Sequence, residues 1–150
     1  MKTILKYSMA IPVFAAVFLV AVAAFPAQEQ EADAYARPVI VHITSDEGHR
    51  VMMGIHHAAA MHENGKNVAI LLDVDGVSVG ASQPAADLQT AGQMIEEFLA
   101  SGGRVIACAH CIGAAGMSPG DMLPGVEIDS HPEMPKMQRL IDRGATILDY

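Results

Sequence analysis

Residues 68–108 read VAILLDVDGVSVGASQPAADLQTAGQMIEEFLASGGRVIAC, and this stretch decides the fold. Val68 to Leu72 is five apolar residues without alternation, the pattern of a strand buried on both faces. Asp73-Val74-Asp75-Gly76 is a turn-rich exit, and Gly76 to Ala86 reads as a loop. Asp87 to Ser101 has helical spacing, with Leu88, Ala91, Ile95 and Phe98 on one face. Gly102-Gly103 stops that helix, and Val105 to Cys108 is apolar again. Strand, helix and buried strand in this order form a parallel βαβ unit.

The same alternation extends in both directions. Upstream, Val39 to Ile43 is a short β-rich run. Thr44-Ser45-Asp46 offers cap residues, and Arg50 to Glu63 places Val51, Ile55, Ala58 and His62 at helical spacing. Asn64-Gly65 ends that helix. Downstream, the segment with Gly113, Gly116 and Gly120 turns tightly around one short helix. Gly125 to Ile128 is a fourth strand, Pro135 to Arg143 a helix stopped by Gly144, and Ala145 to Leu148 a fifth strand. The expected fold class is α/β, a three-layer α/β/α sandwich with a mainly parallel sheet of about five strands.

Residues 1–27 stand apart from this pattern. Lys2 and Lys6 precede an uncharged run from Met9 to Ala24, and small residues crowd its end. That is the layout of a secretory signal peptide, with cleavage sites available between 24 and 36. Residues 28–37 read as a polar tether and 38–150 as the domain. The expected location is periplasmic, with membrane attachment only if the leader is retained. Loss of Lys2 and Lys6 lowers Lys plus Arg from 9 to 7 against 17 acids, a mature charge near −10. The five arginines are scattered. Nucleic acid is therefore excluded as a partner, and no cofactor motif is present.

The chain has two cysteines, Cys108 and Cys111. A bridge between them closes a loop too small to add much stability, so reactivity or metal binding explains the pair better. Ligands of open parallel sheets bind beyond the carboxyl ends of the strands, where Cys108 lies. Backbone N–H groups of a following turn would stabilise its thiolate, His110 would assist if protonated, and Cys111 would resolve an adduct on Cys108. Haem attachment fails because Ile112, not His, follows Cys111. A closed structural zinc site needs four ligands. An open metal site of Cys108, His110 and Cys111, with Met117, Met122, Met134 and Met137 nearby, suits copper. His49, His56, His57 and His62 lie on or near the first helix. Asp46, Glu47, Asp73 and Asp75 end strands or begin loops and would oppose a thiolate.

The run VIACAHCIGAAGM, Val105 to Met117, resembles the DsrE/DsrF-like sulfur-relay proteins, in which a strand ends in a cysteine and a glycine follows eight positions later. Cys108 and Gly116 keep that spacing. The polar exit Thr44-Ser45-Asp46, Leu72-Asp73 before a loop, the GGRVIAC approach and the closing RGATILDY are also similar. The resemblance implies a small α/β subunit that assembles as a homo-oligomer, a trimer or hexamer. It implies that Cys108 carries sulfur as a persulfide, exchanged with a donor or acceptor protein or a small sulfur compound. The export signal and Cys111 both depart from the usual relay subunit. Three functions stay open: thiol-based sulfur transfer or redox exchange, metal binding, and a non-catalytic assembly subunit.

Overall fold

A computed structural model of the chain describes residues 37–150. The leader and all of the tether except Arg37 lie outside the described residues.

Five strands form one all-parallel sheet: β1 (Val39–Ile43), β2 (Val68–Leu72), β3 (Arg104–Cys108), β4 (Glu127–Asp129) and β5 (Thr146–Asp149), in the order β4-β3-β2-β1-β5. The helices are α1 (Gly48–Glu63), α2 (Gln89–Ala100), α3 (Ala109–Ala114) and α4 (Pro135–Asp142). The chain steps outward from β1 to β4. It then crosses β3, β2 and β1 to lay β5 on the far side of β1.

Alternation within each strand sorts side chains between two faces. Val41, Ile43, Val68, Ile70, Leu72, Val105 and Ala107 face one core. There they meet Val51, Ile55 and Ala58 of α1, Ala91, Ile95 and Phe98 of α2, and Ile112 of α3. Ile40, Ala69, Leu71 and Ile106 face the other side, where Leu140 of α4 packs with Met134, Met137 and Ala145. That second layer is thin. One eight-residue helix covers it, and Ile147 on β5 stays 46% exposed.

Three local readings change. The cap of α1 is Glu47, whose carboxylate accepts from the His49 and Arg50 N–H groups at 3.2 and 3.0 Å. Thr44 is drawn away instead, its hydroxyl donating to the Tyr150 carbonyl. The loop from Gly76 contains a 3-10 turn, Val74–Gly80, because Val77 and Val79 are fully buried beneath it. β4 runs to Asp129 rather than stopping at Ile128. Asp129 is fully buried, and its carboxylate accepts from the Lys136 and Met137 N–H groups at 2.9–3.1 Å, capping α4.

Candidate functional site

β3 ends and α3 begins at the same residue. Cys108 is 2% exposed, its backbone is extended, and its Sγ accepts from the Cys111 N–H at 3.4 Å as the cap of α3. Ile112, fully buried, anchors α3 to the core. Gly116 ends the segment in a left-handed conformation (φ 75°), with the Met117 N–H reaching back to the Ile112 carbonyl at 3.0 Å. Only glycine adopts this cap without strain, which gives the spacing from Cys108 to Gly116 a backbone reason.

Asp73 enters from the end of β2. Its N–H donates to the Ile43 carbonyl of β1 at 3.0 Å, and its own carbonyl accepts from the Gly76 N–H at 2.9 Å. The next residue, Val74, has φ 49° and is 55% exposed. This is a strained setting for a β-branched side chain. The Val74 N–H donates to Asp73 Oδ1 at 3.0 Å. The Cys111 thiol donates to the same oxygen, with Sγ 2.7 Å away. The ligand atoms of Asp73, Cys108 and Cys111 lie within 4.8 Å of one another.

Two further groups stand behind Asp73. His42 of β1 places Nε2 3.6 Å from Asp73 Oδ2. Its Nδ1 meets Asp149 Oδ1 of β5 at 2.7 Å, between residues in register across β1 and β5. His42 Nε2 is buried without a hydrogen-bond partner among the described residues. A chain of polar groups thus runs Asp149–His42–Asp73–Cys111 along the carboxyl ends of β5, β1 and β2 to α3.

Electrostatics differ at the two ends of the Asp73–Cys111 contact. Burial alone would raise the Asp73 carboxyl. Hydrogen bonds from Cys111, the Val74 N–H and Cys108, with the charge of His42, outweigh it and hold Asp73 below the usual carboxylate range. Burial, then the hydrogen bonds to Asp73 and Cys108, push the Cys111 thiol up to about 12. Cys111 is therefore a protonated thiol at neutral pH.

The structure brings together Cys108 and Cys111 but not His110. The exposed His110 ring stacks on His131, with centroids 4.8 Å apart. Among the described residues, Asp73 takes the place expected of His110 beside the two thiols. The methionines do not converge: Met117 and Met122 pack in one core, Met134 and Met137 in the other. On α1, His57 bonds the Tyr150 hydroxyl and His62 the Ser101 carbonyl. Glu47 is occupied as a cap, and Asp46 and Asp75 are exposed. Sequence reasoning overlooked His42 and Asp149. The available signal was a polar residue near the carboxyl end of an apolar strand, in β1 and again in β5.

Comparison with known proteins agrees with this fold. A protein of unknown function from Methanobacterium thermoautotrophicum, MTH1491, superposes with a TM-score of 0.61 at 23% identity, covering 75% of this chain and 98% of its own. The ychN protein from E. coli superposes with a TM-score of 0.60 at 19% identity, covering 75% and 97%. At these identities the likeness is one of fold. No curated protein matches the sequence. The sequence profile of the DsrE/DsrF-like family matches residues 38–147, from the start of β1 into β5. With the match spanning nearly all of the domain, the chain belongs to the DsrE/DsrF-like family.

Proposed function

We propose that this protein is a sulfur carrier that holds a persulfide on Cys108. The family is associated with sulfur relay. The observation that carries the reading is the unequal placement of the two thiols. Cys111 donates its S–H to the Asp73 carboxylate, with Sγ 2.7 Å away, whereas Cys108 ends β3 and its Sγ accepts the Cys111 N–H as the cap of α3. In the loading step the Cys108 thiolate attacks a terminal sulfur of a polysulfide. One S–S bond forms, one breaks, and the shortened polysulfide leaves with the electron pair.

Intact-mass measurement after polysulfide treatment tests this. Wild type and Cys111→Ser should each gain about 32 Da, one sulfur, removable by a thiol reductant. Cys108→Ser should gain nothing. Loading of Cys108→Ser to the wild-type level would refute the assignment.

The charged start and apolar run of residues 1–27 support export, and we place the carrier in the periplasm as a homo-oligomer, a trimer or hexamer. Fractionation with N-terminal sequencing tests the location, and light scattering tests the assembly. A second reading has one specific observation behind it. Asp73, Cys108 and Cys111 offer one carboxylate and two sulfurs within 4.8 Å, a donor set with the thiolates that zinc or Cu(I) prefer. Metal analysis of protein purified without chelators distinguishes it from sulfur carriage.

A further inference from the structure

A sulfur carrier with two neighbouring thiols faces a side reaction. If Cys111 loses its proton, its thiolate can attack Sγ of Cys108. A Cys108–Cys111 bond forms and the bond from Cys108 to the outer sulfur breaks. The electron pair leaves as hydrosulfide, which takes up a proton to become hydrogen sulfide. Cys111 is oxidised, the outer sulfur is reduced, and the cargo is lost. No external oxidant is needed, because the persulfide is itself the oxidant.

The two sulfurs are close enough for this step, lying within 4.8 Å of each other, and α3 holds them one turn apart. Proximity therefore offers no protection. What stands against the reaction is the Cys111–Asp73 hydrogen bond. It keeps the proton on sulfur and directs it toward β2.

We propose that Asp73 is a positioning residue that decides the fate of sulfur on Cys108: its carboxylate, anchored by the Val74 N–H, engages the neighbouring Cys111 thiol at 2.7 Å and keeps it from expelling the cargo. This deepens the sulfur-carrier reading and rests on it. Cys111 is then a guarded thiol, and transfer to an external acceptor is the favoured exit. The titratable groups around Asp73 are Cys108 from β3, Cys111 from α3 and His42 from β1, with Asp149 of β5 behind His42. The carboxylate is also anchored independently of Cys111, through the Val74 N–H. Substitution by asparagine keeps an oxygen for that anchor and removes the charge.

The test uses Asp73→Asn in two assays. In the first, polysulfide-loaded protein is freed of reagent and followed at pH 7 for sulfide release and for loss of the adduct mass. Asp73→Asn should release sulfide at least tenfold faster than wild type and end as the Cys108–Cys111 disulfide. Asp73→Asn combined with Cys111→Ser should keep its adduct. Release from Asp73→Asn at the wild-type rate overturns the proposal, as does equally fast release from the double variant. The second assay needs no loaded sulfur. Cys111 alkylation is followed against pH in Cys108→Ser, with and without Asp73→Asn. Asp73→Asn should move the midpoint of the rate profile down by about one pH unit or more, a tenfold change in thiolate at fixed pH. An unmoved midpoint overturns the hold of Asp73 on Cys111 even if Cys108 never accepts sulfur, so the two failures are separable.

Discussion

Gly76 ties the fold to the site, and replacing it by alanine tests that tie. A Cβ there would lie 2.2 Å from the Ile43 carbonyl oxygen and 2.8 Å from its carbon. Ordinary contact begins near 3.4 Å, so the turn must retreat by about 1.2 Å, the difference between 3.4 and 2.2. The obstacle is backbone of β1, which cannot rotate away. Overpacking costs roughly 1–3 kcal/mol, and a rigid obstacle puts this case near about 3 kcal/mol. For a domain of this size that lowers Tm by roughly 10 °C. The same carbonyl accepts the Asp73 N–H, and the Gly76 N–H bonds the Asp73 carbonyl. The displaced turn therefore carries Asp73 with it and loosens its hold on Cys111. Thermal unfolding by circular dichroism measures the first effect, and the rate of Cys111 alkylation at pH 8 measures the second. A Tm within about 2 °C of wild type would refute the packing argument. A lowered Tm with unchanged Cys111 reactivity would show that the turn does not position Asp73.

Two further outcomes follow from the buried and titrating groups. Asp129→Ala should cost about 2–4 kcal/mol, because it strips the cap of α4, leaves half-buried N–H groups without an acceptor and opens a hole at a fully buried side chain; urea unfolding checks it, and a loss under about 1 kcal/mol would count against it. Stability should also fall at both ends of the pH scale. Asp73 and Glu127 are held below the carboxylate range, so their contribution is present above about pH 4 and lost as pH falls through the folded values. Cys111, raised to about 12, contributes fully below the ordinary thiol value of about 8.5 and loses that contribution as pH climbs toward 12. Urea midpoints from pH 3 to 10.5 would show both limbs, and Cys111→Ser should flatten the alkaline one.

Much of the fold was legible in the chain because parallel strands buried on both faces are written as unbroken apolar runs. Val68–Leu72 and Val105–Cys108 announce themselves, and the helical spacing of Leu88, Ala91, Ile95 and Phe98 requires a crossover between them. The place of Cys108 was legible for the same reason, since the apolar run of β3 ends there. The turn at Val74–Gly80 was not. Its Gly and Ser residues have loop composition, and only the burial of Val77 and Val79, a tertiary fact, makes it compact. The bond from Cys111 to Asp73 was not legible, because strand order brings Asp73 in from β2, 38 positions away. His42 and Asp149 were hidden more deeply, because their meeting depends on β5 returning to the far side of β1.

That return has a consequence for local unfolding. β5 is an edge strand of four residues, three exposed and one half-buried, and the short helix α4 before it buries only Leu140. Segments with few buried apolar contacts open at lower free energy than the whole domain. The α4–β5 unit is such a segment, while β2 and β3 lie inside the sheet with strands on both sides. Opening of α4–β5 would carry Asp149 away from His42 and leave Asp73, Cys108 and Cys111 on their own elements. The protein can thus change the charge behind Asp73 by a sub-global excursion, without dissolving the strand that presents Cys108. Amide exchange would register that excursion as early loss of protection in residues 146–149, ahead of residues 104–108.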